Sequence, residues 1–208
     1  MYNELLTRYP TLATCGKQIG DAVCAIIACY EAGGKVLLCG NGGSCADCDH
    51  IVGELAKGFL KRRPISAEKK AEMKRANPAL TDGMLDKLQC GLPAISLPSL
   101  TALNTAFCND TDPTLLYAQS LLALGKQGDV LIALSTSGNA KNVAAAVAVA
   151  KALGITVIGL TGKDGGRLAA DADIAIRVPE RETFRIQELH LPVYHYLCAA
   201  VEAHFFQE

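Results

Sequence analysis

The sequence predicts an α/β protein: one doubly wound domain whose five-stranded parallel sheet is flanked by helices, with an extra N-terminal helix. Five short, nearly uninterrupted apolar segments carry the prediction: residues 35–39, 93–97, 129–134, 156–160 and 173–178. Strands with so little polar alternation are those covered on both faces. Helical stretches separate them, and strict alternation of the two implies right-handed crossovers and a layered sheet. The length of 208 residues suits a single domain spanning 1–208.

Taken in order, residues 1–32 read as one long amphipathic helix, with Leu5, Leu6, Ile19, Val23, Ile26 and Ile27 on its apolar side. Such a helix packs either on another subunit or on its own sheet. Residues 61–92 read as a charged insertion between the first crossover helix and the second strand. Ser66 can cap a short helix there, and Asn77-Pro78 would stop it. Residues 61–88 hold eight Lys/Arg against four Asp/Glu, while the rest of the chain is net acidic. The insertion is therefore either a cationic flap that draws an anionic substrate or a solvated surface segment. Gly125 and Gly128 bracket the turn into the third strand, and the Ala/Val-rich helix of residues 139–153 ends at Gly154.

Composition removes several classes of function. Half of the residues are hydrophobic, so the chain is not disordered. Lys and Arg number 20 against 21 Asp and Glu, which gives no electrostatic footprint for nucleic acid. The densest apolar runs, 22–30 and 143–150, fall short of the ~20 residues a bilayer span requires. The first residues lack the apolar core of a signal peptide, so a cytoplasmic location is expected. Nine irregularly spaced cysteines suit buried thiols in a reducing compartment. Cys45 and Cys48 form a CxxC, but without a second such pair they read as small helix side chains rather than a zinc site.

The chemistry is expected at the carboxyl ends of the strands. Gly40-Asn41-Gly42-Gly43-Ser44 follows the first strand and Ser135-Thr136-Ser137-Gly138-Asn139 the third, each opening a helix. Either loop alone can be a tight turn with a cap. Together on one sheet edge they point N–H groups and hydroxyls at an anion on two helix N-termini. Neither fits a nucleotide motif, so no nucleotide cofactor is expected, and a phosphate held without lysine suggests a phosphosugar. His50 and Glu54 are four residues apart on the helix after the first loop, and the last helix carries Gln187, Glu188, His190 and His195. Spacing alone leaves His50–Glu54 as a proton-transfer pair or a structural contact, and His190 as a site or helix-surface residue. Pro192 frees the carbonyl of Glu188 within this polar stretch.

These residues resemble the phosphoheptose isomerase branch of the sugar isomerase (SIS) domain family. The resemblance rests on Gly40-Asn-Gly-Gly-Ser-x-x-Asp-x-x-His50-x-x-x-Glu54-Leu, on Ser135-Thr-Ser-Gly-Asn139, on Leu160-Thr-Gly-Lys-Asp-Gly-Gly166, and on Arg185-Ile-Gln-Glu-Leu-His190 with His195. It covers nearly the whole chain outside 61–92. It implies an isomerase that converts sedoheptulose 7-phosphate to glycero-manno-heptose 7-phosphate through a cis-enediol. It also implies a homotetramer with active sites between subunits and often zinc. By position, Asn41, Gly42, Gly43, Ser44, Asp110, Ser135, Thr136, Ser137, Asn139 and Gln187 would bind the substrate. His50, Glu54, Gln187 and His195 would hold the metal, with Glu54 and His195 also the catalytic acid/base pair. The same fold and loops would serve a non-catalytic sugar-phosphate binder or a DnaA-binding type of regulator, which needs neither proton-transfer residue.

Overall fold

The structure, a computed structural model, describes residues 1–206. Its sheet comprises β1 (Val36–Cys39), β2 (Ala94–Ser96), β3 (Val130–Leu134), β4 (Thr156–Thr161) and β5 (Ile174–Arg177). The order is β2-β1-β3-β4-β5, with every neighbouring pair parallel. Each apolar segment of the sequence holds one strand, shifted by a residue or two at its ends.

Strand pleating divides the core into two layers. Val36 and Leu38 of β1 join Val130, Ile132 and Leu134 of β3 on one face, while Leu37, Cys39, Leu131 and Ala133 point to the other. The first face is covered by α2 (Gly16–Glu31), α3 (Gly43–Ala56) and α10 (Thr183–Phe205). The second is covered by α7 (Leu116–Leu124), α8 (Lys141–Ala152) and α9 (Gly166–Asp171). The helix after β1 thus lies on one side of the sheet and the helix after the adjacent β3 on the other. That divergence opens the crevice where doubly wound sheets bind ligands.

Two expectations need correction. The N-terminal segment is not one helix: α1 (Tyr2–Arg8) is followed by a 3-10 turn (Pro10–Cys15) before α2. Pro10 supplies no N–H to continue α1 and disfavours a helical Tyr9, which takes φ −131° and ψ 69°. Ile19, Ala22 and Ile26 of α2 are buried in the chain's own core, while Leu6, Val23 and Ile27 are only partly covered. Secondly, the stretch Pro10–Glu31 is long and apolar enough to cross a bilayer, which run lengths alone did not reveal. Its Ile19, Ala22 and Ile26 are instead buried in the core shared with the sheet and α10.

Within the insertion, α4 (Ala67–Ala76) begins where expected, with the Ser66 hydroxyl accepting from the Lys69 N–H, and it stops at Asn77 before Pro78. None of its residues is buried. Lys70 and Lys74 pair with Asp86 and Asp82, the latter in the short α5 (Asp82–Leu85), so much of the positive charge is met within the insertion. All nine cysteines are free thiols, and burial raises the Cys48 thiol well above its ordinary pKa, as expected of a core side chain.

Candidate active site

The loops after β1 and β3 face each other across a cleft of about 300 Å³, lined by Asn41, Gly42, Gly43, Ser44, Ser135, Thr136, Ser137 and Gln187, with Leu134, Ala140 and Thr183 at its margin. No Lys or Arg lines it, and no residue of 61–92 does. What it offers an anion is a set of hydroxyls and the N-termini of α3 and α8, neither of which has a side-chain cap.

Gly42 turns the chain into α3 at φ +57°, a left-handed conformation that suits glycine. Gly43 is required for space. A Cβ there would lie 2.5 Å from Gln187 Nε2, so α10 delivers its amide directly onto the first loop. Gly43→Ala is therefore expected to displace Gln187 and leave the fold intact. The KM for a phosphosugar should rise about tenfold, the worth of one lost hydrogen bond, and steady-state kinetics beside a melting curve will check this. Gly138, at φ +69°, packs its Cα against the Gly165 carbonyl, so the Gly165-Gly166 turn buttresses the second loop.

Several expected ligands have other partners in the chain. Asn41 exchanges two side-chain hydrogen bonds with Asn142 (2.9 and 2.8 Å), and its Oδ1 accepts a third from the Tyr117 hydroxyl. Tyr117 also donates to the Gly40 carbonyl at 2.7 Å. Asn139 lies outside the cleft lining. Its amide donates to the Ser137 carbonyl and accepts from the Arg167 N–H, which ties the loop to α9. Asp110 is exposed at the end of α6 (Thr101–Asp110), away from the cleft, and accepts a hydrogen bond from Asn109.

His50, Glu54 and His195 do meet. His50 Nε2 lies 3.1 Å from Glu54 Oε1 and 3.4 Å from His195 Nε2. Glu54 is mostly buried and also has Lys57 at 3.7 Å. Burial lowers the His195 pKa from its usual value, as does neighbouring His50, with Glu54 opposing. His195 is accordingly neutral at pH 7. His190 is no surface residue: it is fully buried, neither ring nitrogen has a hydrogen-bond partner among the described residues, and burial pushes its pKa down to about 4.

Gln187 does not join this trio. Eight residues of helix separate it from His195, about 12 Å along α10. Gln187 lines the cleft between the loops, whereas His195 lines a second cleft of about 280 Å³ with Phe59, Leu60 and residues of α1. The expected convergence of all four side chains on one pocket is not found within one chain. As for zinc, bonds of ~2.0–2.1 Å in a tetrahedron give ligand separations of about 3.3 Å. The two contacts of His50 match such edges. Even so, no group of three or more His, Cys, Asp or Glu among the described residues is disposed to enclose a metal ion.

A sheet crevice with two hydroxyl-rich loops and a nearby imidazole–carboxylate cluster defines a phosphosugar-handling α/β protein. In agreement, models of the SIS domain match residues 3–89 and 105–201. The chain belongs to the phosphoheptose isomerase family. It is 42% identical to the phosphoheptose isomerase of Methylibium petroleiphilum over 92% of this chain and 84% of that one. Its identity to that of Rhodospirillum rubrum is 39%, over 92% and 88%. The solved phosphoheptose isomerase GmhA from Neisseria gonorrhoeae superposes with a TM-score of 0.76 at 31% identity, covering 97% of this chain and 95% of that one. The Vibrio vulnificus NanR protein complexed with ManNAc-6P shares the fold alone, at 15% identity and a TM-score of 0.57. The isomerase reading is thereby favoured over the regulator, and the chain is an isomerase.

Proposed function

We propose that the chain interconverts sedoheptulose 7-phosphate and D-glycero-D-manno-heptose 7-phosphate. One observation carries this reading: a cation-free anion cradle at the top of α3 and α10, with the Glu54–His50–His195 cluster further along the same two helices. Gly43 to His50 is about 10 Å along α3, which is the reach of an extended seven-carbon phosphate.

In this reading Ser135, Thr136, Ser137 and the two helix N-termini hold the phosphate, and Asn41, Ser44 and Gln187 the sugar. Glu54 removes a proton from C1 of the ketose while His195 serves the carbonyl oxygen at C2, giving the cis-enediol. Return of the proton to C2 and loss of the O1 proton yield the aldose. The His50–Glu54 and His50–His195 contacts have the spacing of two ligand edges, so with a further ligand from outside these three side chains they would hold a zinc ion, which would polarise the carbonyl oxygen and stabilise the enediolate. A Glu54 bound to metal is a weaker base, so the two roles oppose one another. Asp110 and the cleft shared by His195 and α1 reach the substrate in a homotetramer, where a second copy closes the site. The partly covered Leu6, Val23 and Ile27 are the surface that supports this assembly. Free thiols throughout support a cytoplasmic location.

Purified protein is expected to turn over sedoheptulose 7-phosphate, and a chelator should slow it. No turnover of this or related ketose phosphates would leave a sugar-phosphate binder. Turnover indifferent to chelator would remove zinc from the account.

A further inference from the structure

Asn142 does not line the cleft between the two loops, yet it holds a residue that does. It stands in the first turn of α8. Its amide meets that of Asn41, 101 positions away, in two reciprocal hydrogen bonds of 2.9 and 2.8 Å. From α7, the buried Tyr117 hydroxyl reaches the Gly40 carbonyl at 2.7 Å and Asn41 Oδ1 at 3.2 Å. Burial raises the Tyr117 pKa, so the hydroxyl keeps its proton at pH 7 and shares it between the two oxygens.

The partners decide which way both amides face. The Val143 N–H donates to the Asn142 side chain at 3.0 Å, so the atom it meets is Oδ1. The other Asn142 atom, Nδ2, only donates, and what it meets on Asn41 is therefore Oδ1. Asn41 Nδ2 in turn gives one hydrogen to Asn142 Oδ1. An amide oxygen has two lone pairs and an amide nitrogen two hydrogens. Both lone pairs of Asn41 Oδ1 are taken, by Asn142 and Tyr117, while one hydrogen on Nδ2 has no partner among the described residues.

We infer that Asn142, assisted by Tyr117, is a positioning residue: it ties the start of α8 to the loop after β1 and fixes Asn41 as a hydrogen-bond donor. Asn41 then offers the cleft an N–H and no free acceptor, which suits a sugar or phosphate oxygen and gives nothing to a hydroxyl hydrogen. Without the clamp the amide would be free to turn over, and ordering it would fall to the substrate. The inference rests on the proposed function for what Asn41 binds; the clamp itself rests on the contacts alone.

The test uses the full-length chain. In the free protein, ¹⁵N-labelled on asparagine, the Asn41 and Asn142 side-chain amide protons should show a mutual nuclear Overhauser contact. In steady-state kinetics with sedoheptulose 7-phosphate, Asn142→Ala should raise KM about fivefold to tenfold, near the worth of one hydrogen bond. Its kcat should stay within about twofold, as for contacts made equally before and during the reaction, and it should melt within about 4 °C of wild type. The deciding comparison is a double-mutant cycle: beside Asn41→Ala, Asn142→Ala should leave KM where Asn41→Ala alone puts it. Asn142→Asp keeps an acceptor for the Val143 N–H and suits the start of a helix. It supplies a second cycle should the alanine variant not fold, and its KM effect should be smaller beside Asn41→Ala than in wild type. Asn41→Asp, which has acceptors only, should bind no better than Asn41→Ala. Independent KM effects in the cycle, absence of the amide contact, or a wild-type KM in Asn41→Asp overturns the inference. A wild type that shows the amide contact and no isomerase activity would sink the proposed function and leave the clamp standing.

Discussion

Glu54→Gln is expected to lower the turnover of sedoheptulose 7-phosphate by about 10²–10⁴-fold, the range supplied by a positioned general base, with KM and melting temperature close to wild type. The amide has the shape of the carboxylate and can still pair with His50 at 3.1 Å, so the cluster should keep its packing. What it loses is a group able to take a proton from carbon. Phosphate contacts lie at the other end of α3, about 16 Å away along the helix, and should be undisturbed, so the effect belongs in kcat. His195, held neutral by burial and by His50, cannot replace the lost base from its place at the carbonyl oxygen. Undiminished turnover in the variant would take Glu54 out of the mechanism.

The fold was legible because each of its signals is local. Continuous apolar runs mark buried strands, and the two glycine- and serine-rich loops sit where strands end and helices begin. The break at Pro10 was missed, because the apolar periodicity on both sides of it suggested a single helix. The site was legible only in part. His50 and Glu54 share a helix face, so spacing alone pairs them. Gln187 and His195 lie two turns apart, and helix rise separates them into different clefts. Asn142 on Asn41, Tyr117 on Gly40 and Tyr194 on Asp47 are contacts between residues 77 or more positions apart in the chain. No spacing rule reaches that far. Asp47 alone left a trace, as the aspartate within the motif that ends in His50 and Glu54.

The same is true of Arg63 and Glu202, 139 residues apart, which carry the largest expected effect on stability. Both are 1% exposed. Glu202 accepts from the backbone N–H groups of Phe59, Leu60 and Lys61 and from Arg63 Nε. Arg63 in turn donates to the carbonyl of Leu55, which also accepts from the Leu92 N–H, and to that of Glu54, at the end of α3 where a cation also suits the helix dipole. The start of the charged insertion is thereby locked to α10 and to the helix turn that carries Glu54. Glu202→Gln leaves a guanidinium buried without its counter-charge, which costs about 3–5 kcal/mol. At about 2–4 °C per kcal/mol for a chain of this size, the melting temperature should fall by about 6–20 °C. Burial acts to raise the Glu202 pKa, but the Phe59 and Leu60 N–H groups and Arg63 outweigh it and hold the carboxyl below its ordinary value. A depressed carboxylate contributes its full stability above the unfolded pKa of about 4.3 and loses it as pH falls through the folded value. The gap between wild type and Glu202→Gln in urea unfolding should therefore be widest at neutral pH and narrow below about pH 4. A gap that stays constant down to pH 3, or no gap at pH 7, would show that the pair does not anchor this end of α3.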